Sequence, residues 1–182
     1  MFYEILSFLL NVVAGLVTGA CLLRFYMQLQ RVPFSNPVGR LVFALSDWLV
    51  LPLRRVPPAA GGIDWASLVG AFLVQLAQLL ILWLLGGMGP GVVWLIWLAV
   101  FGVARVAVSG LMGLLIVYAV LSWVQARSLI GDVVARLCEP LLRPIRRVVP
   151  LLGGVDLSPL VALILLQVLT IVLGHIQGAV MF

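Results

Sequence analysis

The chain has 182 residues, of which 64% are hydrophobic and only 9% charged. A water-soluble domain of this size needs a polar outer layer that such a composition does not supply, which excludes an ordinary soluble fold. The formal net charge of +5 comes from arginine, with no lysine; the arginines sit between apolar blocks and not on a separate soluble segment, which argues against nucleic-acid binding and for topology signals and headgroup contacts.

The first apolar block predicts a membrane span over about 5–23, closed by Arg24. Glu4 replaces the positive start of a signal peptide, so the block reads as a retained span. Next, Val38, Leu41, Val42, Leu45, Trp48 and Leu49 recur at helical spacing, with Arg40 and Asp47 opposite. That pattern predicts an amphipathic helix on the membrane surface over 38–51, stopped by Pro52. A second span is expected over 65–85, ended by the run GGMGPG. Residues 91–124 form an apolar run of 34 with one charge, Arg105. As one helix it would be about 50 Å long, against ~30 Å of hydrocarbon. An interfacial or re-entrant connector is therefore expected over 89–105, with its helical piece at 92–104 and Trp94 and Trp97 in the headgroup layer, followed by a span over 106–124. A second surface helix is expected over 129–142. There Ile130, Val133, Val134, Leu137 and Leu141 share one face, and Asp132, Arg136, Glu139 and Arg143 form an opposite stripe of paired charges. The last span is expected over 157–175.

The sequence also matches itself at an offset of 92. Residues 47–75 align without a gap on 139–167, with 13 of 29 positions identical, including Pro52/Pro144, Arg54/Arg146, Arg55/Arg147, Gly61/Gly153, Gly62/Gly154, Asp64/Asp156 and Gln75/Gln167. Shared hydrophobicity matches leucines but not proline, arginine, glycine and aspartate in register. The expected fold is thus an all-α membrane protein of four transmembrane helices. It divides into two parallel repeats, 1–88 and 106–182, each with a cytoplasmic amphipathic helix.

The segment SWVQARSLIGDVVARLCEPLLRPIRRVVPLLGGVDLSPLVALILLQ (122–167) resembles the repeat of the YggT family, and 24–75 resembles a more divergent first copy. Trp48, Leu51 and Ala66-Ser67 depart from the motif there. The resemblance implies a bacterial inner-membrane protein with plastid relatives. It implies links to osmotic tolerance, envelope or division processes and, in plastids, to cytochrome assembly and organelle division. It brings no enzymatic activity.

Chemistry narrows the candidate residues. Arg54, Arg55, Arg143, Arg146 and Arg147 lie where the chain turns toward the bilayer, and guanidinium groups bind lipid phosphates or an acidic partner bidentately; enforcing orientation is the plainer role. Gly61-Gly62 before Asp64, and Gly153-Gly154 before Asp156, read as a turn plus a helix N-cap, with Pro159 in the first turn of the last span. Asp156 is also placed to pair with Arg146 or Arg147. Gln75 and Gln167 fall about 16 Å along their spans and read as interhelical hydrogen-bonding groups, which Asn11, Thr18, Gln78 and Thr170 could join. Cys21 and Cys138 read as free thiols. A lone His175 makes no metal or bis-histidine haem site within the chain. No catalytic residue, metal or cofactor is expected. The expected function is an inner-membrane scaffold or assembly factor, with both termini outside the cytoplasm, anionic headgroups and a membrane or cytoplasmic protein as partners, and scope for a homo-oligomer. The alternative is a small transport or osmoregulatory channel component.

Overall fold

The computed structural model describes residues 1–54, 64–86, 91–124, 128–148 and 156–180. They form α1 (Phe2–Leu29), α2 (Pro37–Leu53), α3 (Trp65–Leu85), α4 (Val92–Val124), α5 (Leu129–Arg146) and α6 (Ser158–Val180), with no strand among the described residues. Helices α1, α3, α4 and α6 are long and apolar enough to cross a membrane. The fold is thus all-helical, with four candidate spans and two shorter helices.

Both short helices open on the same local device. Asn36 Oδ1 accepts the Gly39 amide at 2.9 Å, and Ser128 Oγ accepts the Gly131 amide at 3.0 Å. Each cap satisfies an amide that has no partner inside its helix. The two pairs stand 92 apart in sequence. Pro37 follows the first cap, where its missing N–H costs nothing.

Packing follows the same plan in each half. α1 packs on α2 and α3, and α2 on α3; α4 packs on α5 and α6, and α5 on α6. The halves meet where α1 and α3 lie against α4, and no comparable contact joins α6 to α1 among the described residues. Cys21, Val50, Ala66 and Ala71 form the core of the first half, and Leu115, Val134, Cys138, Leu142 and Ala162 belong to that of the second. A third cluster bridges the halves: Met27, Val32 and Val42 meet Val133 and Leu137, while the Tyr26 hydroxyl donates to the Leu137 carbonyl at 2.8 Å.

Several sequence expectations change. Residues 92–104 are not a separate connector. They are the first part of one 33-residue helix that continues through the expected span at 106–124. No proline interrupts the run, and Arg105 Nη2 donates to Gln177 Oε1 on α6 at 2.5 Å, so the charge does not force a break. α1 likewise runs past Arg24 to Leu29, because Arg24 is buried and paired inside the protein. α6 extends beyond 175 to Val180. Pro52 and Pro144 lie inside the last turns of α2 and α5 instead of ending them. So near a C-terminus a proline forfeits one backbone hydrogen bond but has little helix left to disrupt.

The buried stripe of α2 is Gly39, Val42, Ser46 and Val50. Of the expected apolar stripe, Val42 is buried and Val38 and Leu49 pack against apolar clusters, while Leu41 and Trp48 face outward at 61% and 64% exposure. On α5, Glu139 pairs with Arg146 and not with its neighbours in the expected stripe.

Candidate functional site

At the loop-facing end of the first half, α1, α2 and the start of α3 converge on a buried cation. Arg24 is 2% exposed. Its Nη1 donates to Asp47 Oδ1 at 2.6 Å and to Ser46 Oγ at 3.0 Å, and its Nε lies 3.5 Å from Asp64 Oδ2 without a hydrogen bond. The guanidinium carbon sits 4.7 Å from the Phe43 ring centre, a cation–π contact. Asp64, itself 4% exposed, also accepts Arg54 Nη2 at 2.7 Å and Ser67 Oγ at 2.8 Å. Two arginines and two aspartates balance, so the buried charges of Arg24 and Asp64 are compensated by each other and by the more exposed Asp47 and Arg54.

The second half builds a partial copy of this network. Arg146 donates through Nε to Asp156 Oδ2 at 2.9 Å, through Nη1 to Glu139 Oε2 at 3.1 Å and through Nη2 to the Tyr118 hydroxyl at 2.7 Å. Asp47/Glu139, Arg54/Arg146, Asp64/Asp156 and Tyr26/Tyr118 are each 92 apart. The position matching Arg24 is Ile116, so the second network has one cation where the first has two. Its aspartate is also more open, with the Asp156 side chain 26% exposed against 3% for Asp64.

The two aspartates differ in the expected N-cap role. Asp64 occupies the cap position of α3, yet its side chain accepts no helix amide, because both arginines and Ser67 claim the carboxylate. Asp156 lies two residues before α6 and does accept the Ser158 amide, at 2.9 Å, while also holding Arg146.

Burial works against ionisation of Asp64. The hydrogen bonds from Arg54 and Ser67 and the charges of Arg54 and Arg24 outweigh it, so the carboxyl lies below its ordinary value. At Asp156, burial is likewise overcome by Ser158 and Arg146. Arg146 loses some stability of its charge through burial, but Asp156 and Tyr118 more than restore it. Burial pushes the Cys138 thiol up to about 11 against the opposing charge of Arg146, so it stays protonated at neutral pH.

Carboxyls lowered on folding stabilise the fold fully above their unfolded pKa of about 3.9, and that contribution is lost as pH falls through the lower folded values. Thermal unfolding in detergent should therefore show a melting temperature level from pH 7 to about 5 and falling below about 4. Asp64→Asn should melt lower at neutral pH and show a shallower acid limb. An unchanged acid limb would remove Asp64 from this account.

Of the arginines expected to contact lipid or a partner, Arg54 and Arg146 are committed to internal ion pairs. Arg143 and Arg147 are exposed and have no ion pair among the described residues. Arg55, Gly61, Gly62, Gly153 and Gly154 lie outside the described residues. Pro159 is buried in the first turn of α6. Gln75 Nε2 donates to Thr18 Oγ1 at 3.2 Å, and Gln78 Nε2 to Asn11 Oδ1 at 2.6 Å, linking α1 to α3. Gln167 does not follow Gln75. It is exposed and has no hydrogen-bond partner among the described residues, because no other helix covers that side of α6. Thr170 turns back onto the Leu166 carbonyl, and His175 Nδ1 lies 3.0 Å from the Ile171 carbonyl of its own helix.

Sequence reasoning passed over Arg24, whose place at the end of an apolar run read as a span terminus. The available signal was the absence of any breaker between Arg24 and Pro33, which allows the helix to carry the charge inward.

Comparison with known proteins agrees with this organisation. The family model described as CCB3/YggT matches residues 3–85 and 97–177, one segment in each half. The chain is 38% identical over 176 residues to "Uncharacterized protein YggT" of Escherichia coli K12, covering 96% of this chain and 92% of that one. It is 33% identical over 180 residues to "Uncharacterized protein in proC 3'region" of Vibrio alginolyticus, covering 97% of each. An uncharacterized protein of Pseudomonas aeruginosa is 37% identical over 167 residues, covering 89% of this chain and 84% of that one. No solved structure matches. With the family model covering both halves and these relatives matching along most of their length, the chain belongs to the CCB3/YggT family.

Proposed function

We propose that the protein is a scaffold or assembly factor of the bacterial inner membrane, built from two parallel copies of one span–surface helix–span unit. The observation that carries this reading is the way each short helix is anchored. Arg24 and Arg54 bind α2 and the start of α3 together, and Arg146 ties α5 to α4 and to the start of α6. Such networks hold a surface in fixed geometry, as a docking platform requires. Within the first-half spans, the polar side chains of Asn11, Thr18, Gln75 and Gln78 are engaged with one another. They serve as links between helices in this reading.

The second reading, a small transport component, draws on those same polar groups at mid-span. Reconstitution of purified protein into liposomes separates the two. A scaffold gives no flux of potassium, sodium or protons above empty vesicles, whereas saturable flux that falls with Gln75→Leu would support transport.

Orientation gives a further expected result. Arg31, Arg40, Arg54 and Arg55 lie between the first two spans, with Arg24 near the end of the first, and Arg127, Arg136, Arg143, Arg146 and Arg147 lie between the last two. Arginine-rich short loops stay in the cytoplasm, which puts both termini outside. Cysteines introduced singly at 88, 127 and 182 should react with an impermeant thiol reagent from outside at 88 and 182, and only after permeabilisation at 127. External labelling at 127 would overturn the arrangement.

A further inference from the structure

We propose that the seam between the two halves is a binding site for a phosphate-bearing anion, gripped by Arg31, Arg136 and Arg143. A cavity of about 570 Å³ opens there, lined by Gln30 and Arg31 from the end of α1 and by Arg136, Glu139, Pro140 and Arg143 of α5. None of the three arginines makes an ion pair or side-chain hydrogen bond among the described residues, and all three are exposed. Glu139 also lines the cavity but makes no ion pair with any of the three, its Oε2 accepting Arg146 Nη1 at 3.1 Å, and the lining keeps three positive charges against one negative. Three unpaired guanidinium groups around one cavity repel one another unless an anion lies between them. A phosphate offers multiple charge and several acceptor oxygens, matching a set of planar donor forks better than a single carboxylate does.

The backbone at Arg31 points the same way. α1 ends with the Val32 amide donating to the Met27 carbonyl at 2.9 Å and the Arg31 amide to the Gln28 carbonyl at 3.0 Å. This is a Schellman cap, and Val32 packs in the same apolar cluster as Met27, as the motif favours. The cap sets Arg31 at φ 52°, the left-handed region where glycine is the usual occupant. An arginine held in that conformation lines the cavity, opposite two arginines seven residues apart on α5.

The first half shows that the fold does not require this charge. The positions matching Arg136, Pro140 and Arg143 at the offset of 92 are Ala44, Trp48 and Leu51. Trp48 and Leu51 are exposed apolar residues on the outer face of α2. The two short helices thus present unlike outer faces, one apolar and one basic, and the basic one faces the end of α1 across the cavity. An anion bound there would touch both halves at once.

The inference goes beyond the scaffold reading, and the liposome flux result does not bear on it. A lipid headgroup and a free phosphate share the required chemistry, so the test has two arms, both on the purified full chain. In the first, native mass spectrometry reads phosphatidylglycerol retained from mixed phosphatidylglycerol/phosphatidylcholine membranes. In the second, inorganic phosphate is titrated into protein in a neutral detergent and the melting temperature is followed. The triple variant Arg31→Gln, Arg136→Gln, Arg143→Gln should lose at least about tenfold in one arm, the loss expected from removing several charge-assisted hydrogen bonds. Loss of lipid retention identifies a headgroup, and loss of a saturable phosphate response identifies a soluble phosphate. Arg40→Gln, exposed and outside the cavity lining, should behave as wild type. Arg31→Gly should melt at a higher temperature, by relief of its backbone conformation, yet bind the anion less well. Equal behaviour of wild type and triple variant in both arms would overturn the site. An equal loss in Arg40→Gln would also overturn it, reducing the effect to general charge.

Discussion

Replacing Arg24 with methionine is expected to destabilise the protein by about 3–5 kcal/mol, the range for breaking a buried ion pair. The side chain is 3% exposed, and the Asp64 side chain beside it is equally buried. Methionine fills the volume but leaves Asp47 without its 2.6 Å partner and Asp64 with Arg54 as its only cation. The main penalty falls on Asp64, whose buried carboxylate is left short of one cation, while Asp47, with its side chain 41% exposed, turns to water. Arg24→Lys should recover only part of the loss, since an ammonium cannot reach Asp47, Ser46 and Asp64 in the same fork geometry. Adding Asp64→Asn to Arg24→Met should recover part of the stability by removing the buried charge left short of a cation. Unfolding of the purified protein in mixed micelles reads all three. A loss below about 1 kcal/mol for Arg24→Met, the range of an exposed pair, would show that Arg54 and solvent satisfy Asp64 unaided.

The second large effect is expected at Gly39, from packing and not from charge. A Cβ there would lie 2.7 Å from Phe34 Cα and closer still to the Phe34 carbonyl oxygen. Both are backbone atoms, so no rotamer change relieves the overlap. The first turn of α2 must move, and with it the Asn36 cap that holds the Gly39 amide. Gly39→Ala should therefore cost about 2–3 kcal/mol, the upper range for overpacking combined with a weakened cap. Gly110→Ala is the control. A Cβ there meets nothing within 4 Å, and alanine favours the helix. That change should be neutral or stabilising by up to about 1 kcal/mol. Equal stability of the two variants would mean that the chain before α2 yields easily.

The sequence makes the spans legible because hydrocarbon imposes a length and a composition, and α3 begins and ends as expected, at Trp65 and Leu85. The matching motif residues likewise point to Asp156 pairing with Arg146 or Arg147, since a shared role explains a polar register preserved between apolar blocks, and the pair formed is with Arg146. Failures arise where lateral contacts override local pattern. Arg24 and Arg105 look like places where a helix must stop, but each finds its partner on another helix, so the helix continues. Gln167 repeats Gln75 in sequence but not in surroundings, because α3 lies between the two spans α1 and α4, whereas α6 packs on one span, α4, among the described residues. The cavity at the seam joins residues more than 100 positions apart and depends on one left-handed residue, Arg31, which hydrophobic periodicity does not reveal.

Helix α4 has a mechanical consequence for the surrounding bilayer. Its 33 residues rise through about 50 Å. Fitting that length into ~30 Å of hydrocarbon by tilt alone needs an inclination of more than about 50°, beyond the 0–40° that spanning helices adopt. The remaining mismatch falls on the lipid and on the first turns, where Val93, Trp94, Ile96 and Trp97 are exposed. Indole rings favour the headgroup layer, so Trp94 and Trp97 provide a natural anchoring depth while the acyl chains beside α4 stretch to meet it. Each ångström left uncovered costs a fraction of a kcal/mol, which makes the energy of this protein in a membrane depend on local thickness and favours patches of longer-chain lipid.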